Sequence, residues 1–172
     1  METHDLRESN VFEGLDEDQV ARITAVGRPR GLLAGERLFI LGDGADRLYM
    51  VAKGSVDLCF PFSFRGVVKD VCVETLGAGG AFGWSALVRP YRFTLSARAA
   101  VDSEVAAFPR GDLLEVFEGD PRTGYVFMKR IAEVVGNRLH KMQALWAREL
   151  QRAVTQMLEG GPEIASAREK KA

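Results

Sequence analysis

Apolar and polar positions change rhythm twice along the 172-residue chain. From Leu6 to about Val26 the period is helical: Phe12, Leu15, Val20 and Ile23 recur on one face, and Asp16 stands where an N-cap belongs, ahead of EDQV. From about Gly31 to Phe108 the runs shorten to RLFI, RLYMV, SVDLCF, DVCVETL, FTLSARA and EVAAF, separated by glycine turns such as LGDGAD and AGGAFG. Short alternating runs between glycine turns predict antiparallel strands wrapped into a barrel or jelly roll. From about Asp112 to Leu158 the helical period returns, followed by the polar tail GGPEIASAREKKA. The reading is therefore mainly β with flanking α: an antiparallel jelly-roll barrel with an N-terminal helix and a long C-terminal helix. It divides into an N-terminal helical segment (1–30), a β-barrel (31–110), C-terminal helices (111–158) and a frayed, disordered tail (159–172).

The last helix carries a second pattern. Met128, Ala132, Val135, Leu139, Met142 and Trp146 are spaced 4-3-4-3-4, the rhythm of a coiled-coil seam. A helix of thirty-odd residues is roughly 45 Å long, more than a small barrel is wide, so its distal half through Leu150 calls for a further partner. The pattern predicts a homodimer through this helix.

Composition narrows the function classes. The chain is 47% hydrophobic and 27% charged with a net charge of -1, an ordinary globular balance that recommends neither nucleic acid nor a membrane as partner. The basic residues of the last helix alternate with Glu133, Glu149 and glutamines, as on a solvated face. METHDLRESN lacks the apolar core of a signal peptide, which points to the cytoplasm. Cys59 and Cys72 lie in alternating runs without metal-ligand spacing and read as reduced strand residues. The two histidines, His4 and His140, fall outside the strands, so no metal centre is expected there. No nucleophile-and-base constellation marks a catalytic site, so the reading is non-enzymatic.

One stretch carries a resemblance. GERLFILGDGADRLYMVAKGSVDL, residues 35–58, is similar to the first half of the cyclic-nucleotide-binding domain, the regulatory jelly roll of catabolite-activator-type regulators, kinase regulatory subunits and gated channels. Gly35-Glu36, Leu38-Phe39, Gly42-Asp43, Leu48-Tyr49, Val51 and Gly54 keep the family's spacing. The similarity runs on through AGGAFG and ARAAVDSEVAAFPRGDL to the closing helix. It implies a stand-alone regulatory sensor or signalling module. After Leu158 too few residues follow for the three-helix DNA-reading element of the transcription-factor relatives.

The resemblance also implies a phosphate-binding cassette at FGWSALVRPYRFT, residues 82–94. In the family, amides at a glycine-led turn, an arginine and a hydroxyl hold the cyclic phosphate, while a glutamate accepts from the ribose 2′-hydroxyl. Gly83, Trp84, Ser85, Ala86, Arg92 and Thr94 are the candidate ligand residues. Phe82, Gly83, Ala86 and Leu87 keep the frame. Trp84, however, stands at the glutamate's position and supplies no carboxylate. Tyr91 stands at the arginine's, with Arg92 one residue on and facing the other way if the segment is extended. A shortened loop would let Arg92 or Arg89 turn inward. Three outcomes stay open: Trp84 plugs an emptied pocket with Tyr91 and Phe93; another small anion binds, held by the surviving amides, Ser85, Arg92 and Thr94; or a cyclic nucleotide binds in the ordinary way. In the ligand-free case the domain serves an unidentified protein partner or dimerisation.

Overall fold

The computed structural model describes residues 6, 9–64 and 67–159; the tail from 160 onward and His4 lie outside the described residues. A short 3₁₀ turn, Asn10–Phe12, leads to α1, Glu17–Ala25. The predicted N-cap is present as a full capping box: Asp16 accepts from the Gln19 amide, and the Gln19 side chain accepts from the Asp16 amide.

Eight strands follow: β1 Arg28–Leu32, β2 Arg37–Phe39, β3 Arg47–Lys53, β4 Val56–Phe64, β5 Val67–Leu76, β6 Ala81–Phe82, β7 Ser96–Ala99 and β8 Ser103–Pro109. They form two antiparallel four-stranded sheets, ordered β1-β8-β3-β6 and β2-β7-β4-β5. The sheets are not closed into a barrel, so the expected barrel is an open two-sheet jelly roll. The short β6 and the three-residue β2 end the two sheets without pairing to each other. β1 begins at Arg28 and pairs with β8 from Arg28–Ala107 to Leu32–Ser103. Its mostly exposed residues carry no alternation, so this strand had no signal in the apolar pattern.

Alternation along β3 explains the layering. Leu48, Met50 and Ala52 turn to one side and meet Phe12, Ile23, Leu113, Phe117, Phe127 and Ile131 from the helices. Tyr49 and Val51 turn to the other and meet Phe39, Val56, Leu58, Ala97 and Ala99 of the second sheet. The middle of the first sheet, β3 and β8, is thus buried on both faces.

The C-terminal helical region is two helices, α2 Arg110–Gly119 and α3 Pro121–Glu159. Asp120 divides them: its carboxylate accepts from the Thr123 amide (3.2 Å) and hydroxyl (2.7 Å), and Pro121 occupies the first helical position, where a missing N–H costs nothing. Contacts group the chain into two units, 1–135 and 136–172. In the first, α3 buries Phe127 and Ile131 in the core, with Val134 and Val135 packed at its margin. In the second, Leu139, Trp146, Leu150, Val154, Met157 and Leu158 are more than half exposed.

The cysteines correct the sequence reading: Cys59 and Cys72 form a disulfide. They are register partners across β4 and β5, brought opposite each other by an irregularity at Leu58/Cys59 that leaves Val73 as the extra residue. Neither run alone reveals that register.

Candidate functional site

The predicted cassette follows β6. Gly83 holds φ of 74° and starts a single 3₁₀ turn, Trp84–Ala86. Glycine is required there twice over: that φ is left-handed, and a Cβ would lie 3.0 Å from both the Arg47 carbonyl oxygen and the Tyr49 ring. The Ala86 amide donates to the Gly83 carbonyl and the Leu87 amide to that of Trp84, closing the turn. Ser85 and Ala86 are buried beneath it.

Because the turn starts from a left-handed residue, Trp84 does not point between the sheets. It is half-buried and packs with Leu87 against the helix-side cluster of Phe12, Phe117 and Phe127. The sequence reading in which Trp84 plugs an emptied pocket together with Tyr91 and Phe93 differs from this placement, which sets Trp84 on the helix-side cluster and apart from Phe93. Four other rings occupy the space between the sheets. Phe93 stacks on Phe39 at 3.6 Å and 8°, Tyr49 stacks on Phe82 at 5.3 Å, and Phe39 joins the pairs through contacts of 5.6 Å to Tyr49 and 6.1 Å to Phe82. Burial pushes the Tyr49 phenol up from its ordinary pKa, with the Arg47 guanidinium opposing, so it stays neutral.

Exposure alternates after the 3₁₀ turn, although Tyr91 is left-handed and Thr94 and Leu95 lie in a bend. Phe93 and Leu95 face the core, while Arg92 and Thr94 are exposed. Arg92 donates to the Gly42 carbonyl at 2.8 Å and its backbone bridges to Gly44, so its charge is directed at the 42–45 turn. Arg89 is exposed and precedes a cis proline, Pro90. Tyr91, at the family arginine's position, has φ of 58° and lies under the Arg110 guanidinium at 4.2 Å. Its carbonyl accepts from the Ala45 amide at 2.8 Å. Of the six candidate residues, Gly83, Ser85 and Ala86 are thus brought together in the turn. Trp84 faces the helices, and Arg92 and Thr94 face outward. The ring cluster was missed as a unit; the aromatic content of Phe39, Tyr49, Phe82 and Phe93 at core-facing positions was its only sequence signal.

Among the described residues, one group has metal-ligand character: Asp57, Cys59 and Cys72, with ligand atoms within 4.8 Å of one another. Both sulfurs are engaged in the disulfide, and Arg98 stands beside them.

A two-sheet antiparallel jelly roll, flanked by helices and carrying a glycine-led 3₁₀ turn after its sixth strand, is a fold shared with solved cyclic nucleotide-binding proteins. The pattern of the cyclic nucleotide-binding domain matches residues 29–120, and the chain belongs to that family. A putative cyclic nucleotide-binding protein from Geobacter metallireducens is 30% identical, with a TM-score of 0.66 over 81% of this chain and 99% of that one. The catabolite activator protein of Thermus thermophilus is 26% identical, with a TM-score of 0.66 over 90% of this chain and 73% of that one. Glutaminase 1 of Bradyrhizobium diazoefficiens is 32% identical over 140 residues, 80% of this chain; the chain spans 21% of that protein's length. No described helix is long and apolar enough to cross a membrane.

Proposed function

We propose that this chain is a non-enzymatic regulatory module whose cassette no longer holds a cyclic nucleotide tightly. The observation that carries the reading is the four-ring cluster of Phe39, Tyr49, Phe82 and Phe93 packed between the sheets behind the cassette. A ligand entering there must displace stacked rings, and no carboxylate at residue 84 or inward arginine at 91 or 92 compensates. What the cassette keeps is the Gly83 turn, with its amides, and the Ser85 hydroxyl. These suit a small anion held weakly. The module works in the cytoplasm and signals through its surface. It pairs with a second copy through the exposed apolar residues Leu139, Trp146 and Leu150 of α3.

The decisive experiment is thermal shift against cAMP, cGMP and a panel of small anionic metabolites, since whatever binds the native state raises its melting temperature. Strong stabilisation by either nucleotide defeats the reading. A second reading rests on the 32% identity to glutaminase 1: the module serves as the regulatory partner of an enzyme, in cis or in trans. Co-purification with an amide-hydrolysing activity, lost on removing this module, is its test.

A further inference from the structure

The outer face of the sheet β2-β7-β4-β5 carries a polar network around the disulfide. On this face Asp57 accepts from the Thr75 hydroxyl at 2.7 Å and pairs with Arg98 at 3.3 Å. A terminal nitrogen of Arg98 also donates to the Cys72 sulfur at 3.8 Å. Arg37, the register partner of Arg98 on β2, pairs with Asp70 at 2.7 Å. The two sulfurs differ in access: Cys59 is 2% exposed, whereas Cys72 is open to solvent.

We infer that Cys59–Cys72 is a reversible dithiol/disulfide pair and that Cys72 is its site of thiol modification, with small monothiols of the glutathione class as reagent. Thiol–disulfide exchange needs an accessible sulfur for in-line attack, and the exposed Cys72 supplies it. The incoming thiolate bonds to the Cys72 sulfur, the S–S bond breaks, and the Cys59 sulfur leaves with the electron pair and takes a proton. A second monothiol thiolate then attacks the monothiol sulfur of the mixed disulfide, and Cys72 departs as a thiolate. Two monothiols are oxidised to one small disulfide, and the protein pair gains two electrons. The guanidinium of Arg98 stabilises the departing Cys72 thiolate, as a neighbouring cation does for reactive cysteines. Cys59, sealed beneath the sheet surface, remains a thiol and serves as the resolving group on reoxidation.

A divalent-metal site formed by the reduced thiols with Asp57 is the competing chemistry. Arg98 disfavours it, because a fixed cation lies within hydrogen-bonding distance of two of the three ligands. Reduction also has a structural reading: it removes the cross-strand link of the β4–β5 hairpin, whose other face exposes Phe60, Phe62 and Val71.

The test uses the full chain without denaturant. It is incubated with millimolar reduced glutathione, acid-quenched, alkylated and mapped by mass spectrometry. Expected are two free thiols, reached through an adduct on Cys72. In the reduced protein, iodoacetamide should label Cys72 first. Arg98→Gln should slow that labelling about threefold at pH 7 and move its pH midpoint upward, the thiolate fraction falling while its intrinsic nucleophilicity rises. Arg98→Lys should retain the wild-type profile. A pair that stays oxidised in the folded protein, an adduct on Cys59, or an Arg98→Gln profile identical to wild type would overturn the inference. So would protection of both reduced thiols by zinc alone, which would assign the site to metal.

Discussion

Phe93 lies flat on Phe39, 3.6 Å between ring centres, joining the segment that leads into β7 to its neighbour β2 within one sheet. Both rings are buried, so Phe93→Ala leaves a cavity that its neighbours cannot fill without moving. The expected cost is about 3–5 kcal/mol, measured by urea denaturation, the range for large aromatic truncations in cores. A loss below about 1 kcal/mol would mean that the stack is not packed as described.

With those rings in place, cAMP and cGMP should bind with Kd weaker than about 100 μM, which corresponds to less than roughly 5.5 kcal/mol of binding free energy. Isothermal calorimetry checks this. Low-micromolar binding of either nucleotide would show that the rings yield readily.

Trp84 faces the helices and is only half-buried, so Trp84→Ala should cost less than Phe93→Ala, about 1–3 kcal/mol. In a Trp146→Phe background, its emission should be shifted to intermediate wavelengths and should not change when anions are added. An emission change on adding a cyclic nucleotide would contradict its placement on the helix side.

The Trp84 and Cys59 cases show where legibility in the sequence ended. The strands other than β1 and β6, most glycine turns and the Asp16 cap were readable because each depends on neighbours a few residues away. The direction of Trp84 depends instead on the left-handed Gly83, which rotates the turn as a body. The Cys59–Cys72 bond depends on a register shift that no single strand records. The Phe39–Phe93 stack joins residues far apart in the chain, and only the pairing of β2 with β7 brings them together.

Asp120 gives a pH-dependent signature. The Thr123 hydroxyl and then the Thr123 amide, with Gln19 and Arg22, hold its carboxyl at about 2, below the ordinary 3.8. A depressed carboxyl contributes stability that is complete above the ordinary value and disappears as pH falls through the folded one. The urea midpoint should therefore drop between about pH 4 and pH 2 partly through this group. Asp120→Asn should remove that portion of the drop while lowering stability at neutral pH. Parallel pH profiles for the two proteins would argue against this role.

The exposed stripe of α3 makes a prediction about assembly. Leu139 and Trp146 are 53% and 63% exposed, and replacing both with lysine puts charge into the seam of the proposed pair. Multi-angle light scattering should find wild type as a dimer and the double variant as a monomer with unchanged helical content. A wild type that stays monomeric at high micromolar concentration removes the seam.

The pairing of β1 with β8 has a consequence for how the chain is made. Arg28 waits for Ala107 and Arg37 waits for Arg98, so neither sheet can be assembled until the last two strands have left the ribosome. β4 and β5, adjacent in the chain, can find each other early, and β3 can add only the two-residue β6 before β7 and β8 are made. Late, distant pairing of this kind slows folding and keeps apolar strands open while synthesis continues. A ribosome stalled far enough beyond Leu76 for β5 to emerge, but not β7, should hold a hairpin on a protease-sensitive chain, whereas one stalled far enough beyond Pro109 for β8 to emerge should hold a protected domain.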